Sequence, residues 1–270
     1  MRINQRYFAL RGADGKAAPW FGFIANIAPT DDGSLVVAGN ERVLRARFAD
    51  ARHFWDLDRR KTLASRLPAL DNITFHAKLG SQGERTQRMM RLAGLIADMT
   101  GADKSAAIRA AELSKTDLTT GMVGEFPELQ GIMGGYYARH DGENDAVAQA
   151  ITEQYQPRGP GDDVPTAPVS VVAGLADRFD MLTAFFAAGE KPSGSGDPFG
   201  LRRAALGIIR LIRENGLRLD LVKLFTLAAE ALPAPLRTAP DLALLPPFIA
   251  ERLRVQVRTE GARHVCLAAI

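Results

Sequence analysis

Residues 169–189, VSVVAGLADRFDMLTAFFAAG, decide the fold. The run is apolar on most sides rather than along one stripe, which predicts a helix buried at the centre of a helical domain. Two carboxylates, Asp177 and Asp180, interrupt it on sides lined by Ala173, Ala176 and Ala184. An acid in such a place needs a partner, because an unpaired buried charge is costly.

The flanks extend the helical reading. Upstream is a proline-rich loop with Pro157, Pro160, Pro165 and Pro168, and downstream the segment GEKPSGSG, residues 189–196. Asp197-Pro198 then reads as an N-cap followed by a first-turn proline, and Asn215-Gly216 as the stop of that helix. The chain to 270 is helical with breaks at Pro233, Pro235 and Pro246-Pro247. Toward the N-terminus, helices are expected over 85–99, where Met89, Leu92, Ala93 and Ile96 line one side, over 105–118 and over 145–155. On the 105–118 helix, Ala106, Ala110, Leu113 and Asp117 would share a face.

The first forty residues differ. QRYFALR (5–11), WFGFIANI (20–27) and SLVVAGN (34–40) read as strands separated by the turns GADGK and TDDG. From Glu41 the pattern becomes helical, with Leu44, Phe48, Ala51 and Trp55 on one stripe. The expected fold is therefore mainly α: a β-rich segment and basic helix over 1–65, part of a longer domain entered midway, then a helical domain over 66–270 with a C-terminal helical extension.

Composition sets limits. The 270 residues are 46% hydrophobic and 24% charged, ordinary for a globular domain with a sizeable core. No uninterrupted apolar run is long enough to span a bilayer, so no membrane partner is expected. The single cysteine, Cys266, leaves no internal disulfide framework and fits a reducing, cytoplasmic setting. The net charge of +3 and pI of 9.2 permit a polyanionic partner.

The basic residues are placed unevenly. Arg42, Arg45, Arg52 and Arg59 belong to a stretch (41–61) with seven cations against four acids, and 45, 52 and 59 recur every seven residues. A solvated helix face explains part of this. Guanidinium groups in a row also suit phosphate contacts. Arg202 and Arg203 sit in the opening turns of a helix, against its dipole, at roughly 0.3–1 kcal/mol each. That placement points to an outside reason: an acidic partner, a buried acid such as Asp177 or Asp180, or a phosphate.

His76, Asp117 and Asp177 are the residues on which a metal site could converge. FHAKLGS (75–81), LSKTDL (113–118) and GLADRFDML (174–182) resemble, in order and spacing, the three helical motifs of the HD superfamily of metal-dependent phosphohydrolases. That family carries a His-Asp pair on its second motif, where this chain has Thr116-Asp117. A hydroxyl is a poor substitute for an imidazole on a transition metal. His140-Asp141 is a literal pair, but it precedes Gly142 in an expected loop. The reading is an HD-like fold whose His76, Thr116, Asp117 and Asp177 are vestigial, with no metal bound; a metal-dependent phosphohydrolase is the alternative.

Longer strings carry a second resemblance. NERVLRARFADARHFWDLDRR (40–60), FHAKLGS, MVGEFPELQGIMGGYYARHDGE (122–143), GLADRFDML and DPFGLRRAALGIIRLI (197–212) are similar, in one order over nearly the whole chain, to the β subunit of bacterial heterotetrameric glycyl-tRNA synthetases. The resemblance implies a glycine–tRNA ligase holoenzyme that uses ATP and Mg²⁺, with the aminoacylation site on an α subunit. The β subunit would contribute glycine tRNA binding and assembly with α. It also implies that this stretch, a central part of β, binds no cofactor and is not catalytic alone.

Overall fold

The computed structural model describes residues 7–261. Cys266 and His264 lie outside them. The chain divides into two compact units, Met1–His53 and Phe54–Ile270.

In the first unit, β1 (Phe8–Arg11) and β2 (Ala17–Gly22) form an antiparallel hairpin, with Phe8 opposite Gly22 and Arg11 opposite Ala17. Tyr7 packs edge-on against Phe21, ring centroids 5.2 Å apart, and its hydroxyl donates to Asn40 Oδ1 at 2.6 Å. Asn40 lies on α1 (Ser34–Asp58), whose residues 34–53 belong to this unit. The third expected strand, SLVVAGN, is thus the first two turns of a helix. Asp31 explains the correction: its carboxylate accepts from the Ser34 hydroxyl and the Leu35 amide, each at 2.9 Å. Capping outweighs the local β preference of Val36 and Val37.

The second unit is helical apart from the small antiparallel pair β3 (Thr74–His76) and β4 (Gly80–Ser81). Its helices are α2 (Gln82–Thr100), α3 (Lys104–Leu113), α4 (Gly121–Glu125), α5 (Ile132–His140), α6 (Asp145–Glu153), α7 (Pro168–Ala187), α8 (Leu201–Glu214), α9 (Leu221–Glu230) and α10 (Leu245–Thr259). Helix α7 is the axis. Eighteen of its twenty residues are buried, and α2, α3, α6, α8 and α9 all pack on it. No helix among the described residues is long and apolar enough to cross a membrane.

Caps set the boundaries. Ser81 and Glu84 form a reciprocal capping box at the start of α2, which Gly101 ends in a left-handed conformation. Helix α3 stops at Leu113, and Asp117 lies in a separate 3-10 turn, Thr116–Thr119, so it shares no α-helical face with Ala106 and Ala110. Helix α8 begins at Leu201, three residues after Pro198. Asp197 still caps it, accepting from the amides of Leu201 (2.8 Å) and Arg202 (3.0 Å).

One buried residue organises the proline-rich loop before α7. The Arg178 guanidinium donates to the carbonyls of Gln154, Gly174, Tyr155 and Pro157, at 2.9–3.0 Å. Gly207 of α8 makes the room: a Cβ there would lie 2.3 Å from Arg178 Nε. Four hydrogen bonds hold the guanidinium in place, so the clash cannot be relieved by a rotamer change. Gly207→Ala is expected to lower stability by about 1–3 kcal/mol, although alanine is intrinsically the better helix former. Denaturant unfolding of the two proteins checks the sign.

Candidate functional site

The acids on α7 find their partners on α2 and just after α3. Asp180 Oδ1 accepts from Arg88 Nε at 2.6 Å, and its Oδ2 from Arg85 Nε at 3.3 Å. Asp177 Oδ1 takes Arg85 Nη2 at 3.0 Å and Lys115 Nζ at 2.6 Å. Lys115 is almost completely buried, at 1% exposure. Its ammonium also donates to Gln154 Oε1 (2.7 Å) and Tyr155 Oη (3.0 Å), and it lies 4.2 Å from the Tyr155 ring centre. With Arg178 the cluster places four cations against Asp177 and Asp180, and Asp117 is nearby.

Burial and pairing divide these groups. Burial would raise the Asp177 carboxyl, but Lys115 and Arg85 together overcome it and hold it at about 2. Burial pushes the Lys115 ammonium down to about 8, against the pull of Asp177, so it still carries its charge at neutral pH. Asp117 is driven up to about 6 by burial, which the amides of Gly131 and Gly134 only partly offset.

Asp117 ties segments together. Its Oδ2 accepts from the amides of Gly131 (2.6 Å) and Gly134 (3.2 Å), at the start of α5. Gly134 must lack a side chain, since a Cβ would meet Asp117 Oδ2 at 3.0 Å and Ile151 at 2.8 Å. The Thr116 hydroxyl bonds back to the Leu113 carbonyl at 2.7 Å. His76 lies elsewhere, against the rings of Phe185 and Phe199 and 3.9 Å from Glu190. Among the described residues, no three His, Cys, Asp or Glu side chains gather closely enough to hold a metal ion. The donor set does not fit one: an ammonium already sits on Asp177, where a divalent cation would have to bind.

His140-Asp141 is structural as well. Asp141 follows the last residue of α5 and accepts from the Leu63 amide at 2.6 Å, while His140 Nε2 accepts from Arg59 Nε at 3.4 Å. Asp58, at the end of α1, accepts from the amides of Gly121 and Met122 and so caps α4.

The expected phosphate-binding arginines are in different situations. Arg42, Arg45 and Arg52 are exposed on α1, with Arg45 paired to Glu41 at 2.8 Å. Arg59 falls one residue beyond α1, with its guanidinium 5.0 Å from the Trp55 ring centre. Arg202 donates to the carbonyls of Gly194 (2.6 Å) and Gly196 (3.3 Å), bracing the loop ahead of α8. Neither Arg202 nor Arg203 reaches Asp177 or Asp180. Arg203 is exposed and makes no hydrogen bond or ion pair among the described residues. It stands at a cavity of about 300 Å³ lined also by Arg158, Tyr155, Asp177 and Phe199.

The cations that neutralise α7 went unread in the sequence. Arg85 and Arg88 share the face of Met89, Leu92 and Ile96, and a basic residue on an apolar stripe was the available signal. Lys115 had no such signal, because it lies between helical segments.

With this geometry in view, the comparisons with known proteins decide the family. The family model described as glycyl-tRNA synthetase beta subunit matches residues 1–270. The chain belongs to that family. Among its relatives, the glycine–tRNA ligase beta subunit of Rhodospirillum centenum is 52% identical over 273 residues, covering all of this chain and 38% of that protein. The beta subunit of Phenylobacterium zucineum is 48% identical over 100% of this chain and 39% of its own length. That of Aromatoleum aromaticum is 51% identical over 97% and 38%. The chain thus spans somewhat more than a third of the length of these relatives.

Two outcomes test the buried cluster. Lys115→Met should destabilise the fold by about 3 kcal/mol or more, by stranding carboxylate charge in the core. Lys104→Met, which removes a half-exposed pair with Asp98, should change stability by at most about 1 kcal/mol. Chemical unfolding compares them. For Asp117, the carboxyl titrates near 6 when folded and near its ordinary 3.8 when unfolded. The folded state therefore holds more protons between these values, and stability falls as pH rises from about 4 through 6. Asp117→Asn should remove that fall, so the stability difference between variant and parent should shift in the variant's favour by about 3 kcal/mol between pH 4 and 7.

Proposed function

We propose that this chain contributes tRNA binding and subunit assembly to a heterotetrameric glycine–tRNA ligase. In this reading it works as a cytoplasmic, non-catalytic part of the β subunit. Residues 66–270 form an HD-like helical domain with a C-terminal helical extension, preceded by the β-rich segment and basic helix of 1–65. ATP and Mg²⁺ are used by the holoenzyme, at a site on the α subunit. The observation that carries the reading is the match of residues 1–270 to the glycyl-tRNA synthetase beta subunit family, and the Lys115 ammonium on Asp177 supports its non-catalytic part. In an HD-type hydrolase that carboxylate would serve a metal, and here it serves a structural ion pair, beside a threonine where the family has a histidine. The same observation argues against a metal-dependent phosphohydrolase.

On this view Arg42, Arg45, Arg52 and Arg59, together with Arg202 and Arg203, are the candidate phosphate contacts. The exposure of Arg42, Arg45, Arg52 and Arg203 supports them best. Arg202 is better explained by the carbonyls it braces.

Binding of glycine tRNA, measured across salt concentrations with and without the α subunit, tests the proposal. Affinity should fall steeply with salt, by roughly one unit of log–log slope per phosphate contact. Replacing Arg42, Arg45 and Arg52 together by Gln should flatten the slope by up to about three units. Salt-insensitive binding, or capture by α with no tRNA binding at all, would leave the chain as a scaffold only.

A further inference from the structure

The cavity beside Asp177 combines three features that the buried cluster does not use. Its walls are largely apolar and aromatic, with Tyr155, Phe199 and Met181 among them, and at about 300 Å³ it is at the lower end of small-ligand pockets. It adjoins a second cavity of about 470 Å³ between α8 and α10, and the two share Pro157, Arg158 and Arg203. The two arginines therefore stand on a common wall.

Neither arginine is neutralised. Arg203 has no partner among the described residues, and Gly200, with no Cβ, leaves room for its guanidinium at 2.9 Å. Arg158 Nη2 reaches only the Gln130 carbonyl, at 3.5 Å, and its guanidinium lies 5.8 Å from the Tyr155 ring centre. Two uncompensated guanidinium groups at one cavity favour an anion, and phosphate suits their geometry.

Asp177 sets the other end. Lys115 and Arg85 both bind its Oδ1, and its Oδ2 accepts no hydrogen bond among the described residues. Asp177 is part of the cavity lining, and its carboxylate repels a phosphate and favours a donor. The exocyclic amino group of cytosine, adenine or guanine supplies one, whereas uracil presents a carbonyl oxygen in its place. Aromatic walls between these two ends suit a flat ring.

We infer that this cavity binds one nucleotide unit, with its phosphate between Arg158 and Arg203 and an amino-bearing base beside Tyr155, Phe199 and Asp177. The inference deepens the tRNA-binding reading by giving it a specific pocket. The same chemistry could come from a free nucleotide or from an unpaired residue of an RNA strand.

Calorimetric titration of the full chain with CMP, UMP, inorganic phosphate and glycine tests it. CMP should bind most tightly. Arg203→Gln should weaken CMP by about tenfold, with no change in melting temperature, and Lys104→Gln should leave it unchanged. No binding of CMP, equal binding of CMP and UMP, equal binding of phosphate or glycine, or insensitivity to Arg203→Gln would overturn the inference. Displacement of CMP by an oligocytidylate, and not by an oligouridylate, would identify an RNA strand as the source; CMP binding without displacement would identify a free nucleotide. If glycine tRNA fails to bind while CMP binds through Arg203, the tRNA reading fails and the pocket stands. If tRNA binds but CMP does not, the reverse holds.

Discussion

The helical unit depends on one electrostatic constraint: the central helix carries two carboxylates into the core, and neighbouring segments must bring cations to meet them. Arg85 and Arg88 come from α2 and Lys115 from the segment after α3, so pairing the acids also fixes two neighbours against α7. Apolar burial would hold these helices together with less regard to register. Removing either sign alone leaves an uncompensated charge in a poorly solvating interior, which is far more costly than losing a surface pair.

The same constraint bears on the chemistry. A divalent ion on Asp177 would have to share the carboxylate with two protein cations, Lys115 and Arg85, which repel it. The Lys115 ammonium meets Asp177 and also donates to Gln154 and Tyr155, so the charges here form a hydrogen-bonded core. Asp117 gives its Oδ2 to the backbone amides at the start of α5. What remains open to solvent is the adjoining cavity, with Arg158 and Arg203 at its wall as well as Asp177.

Much of this was legible in the sequence, and particular residues show where legibility ended. The 169–189 helix was readable because an all-round apolar run has few other places to go. Asp197 was readable as a cap, but the start of α8 was not, since Gly200 adopts a left-handed conformation that delays the first turn. The strand expected over 34–40 failed because Asp31, three residues upstream, offers a capping bond that residue preferences do not weigh. The carboxylates at 177 and 180 announced that they needed partners. Their partners lie more than sixty residues away in sequence, and only the packed fold shows which cations meet them.

Arg178 and Gly207 carry a consequence for how this molecule can drift. The guanidinium gathers the carbonyls of Gln154, Tyr155 and Pro157, which would otherwise be stranded, and the space it occupies exists only because the facing helix has no side chain there. A shorter side chain at 178 would open a void beside orphaned backbone oxygens, and a larger one at 207 would expel the arginine. Neither position can change alone without penalty. The two are joined as one hereditary unit, and a lineage that abandons one must rebuild the loop ahead of α7 before it can keep the other.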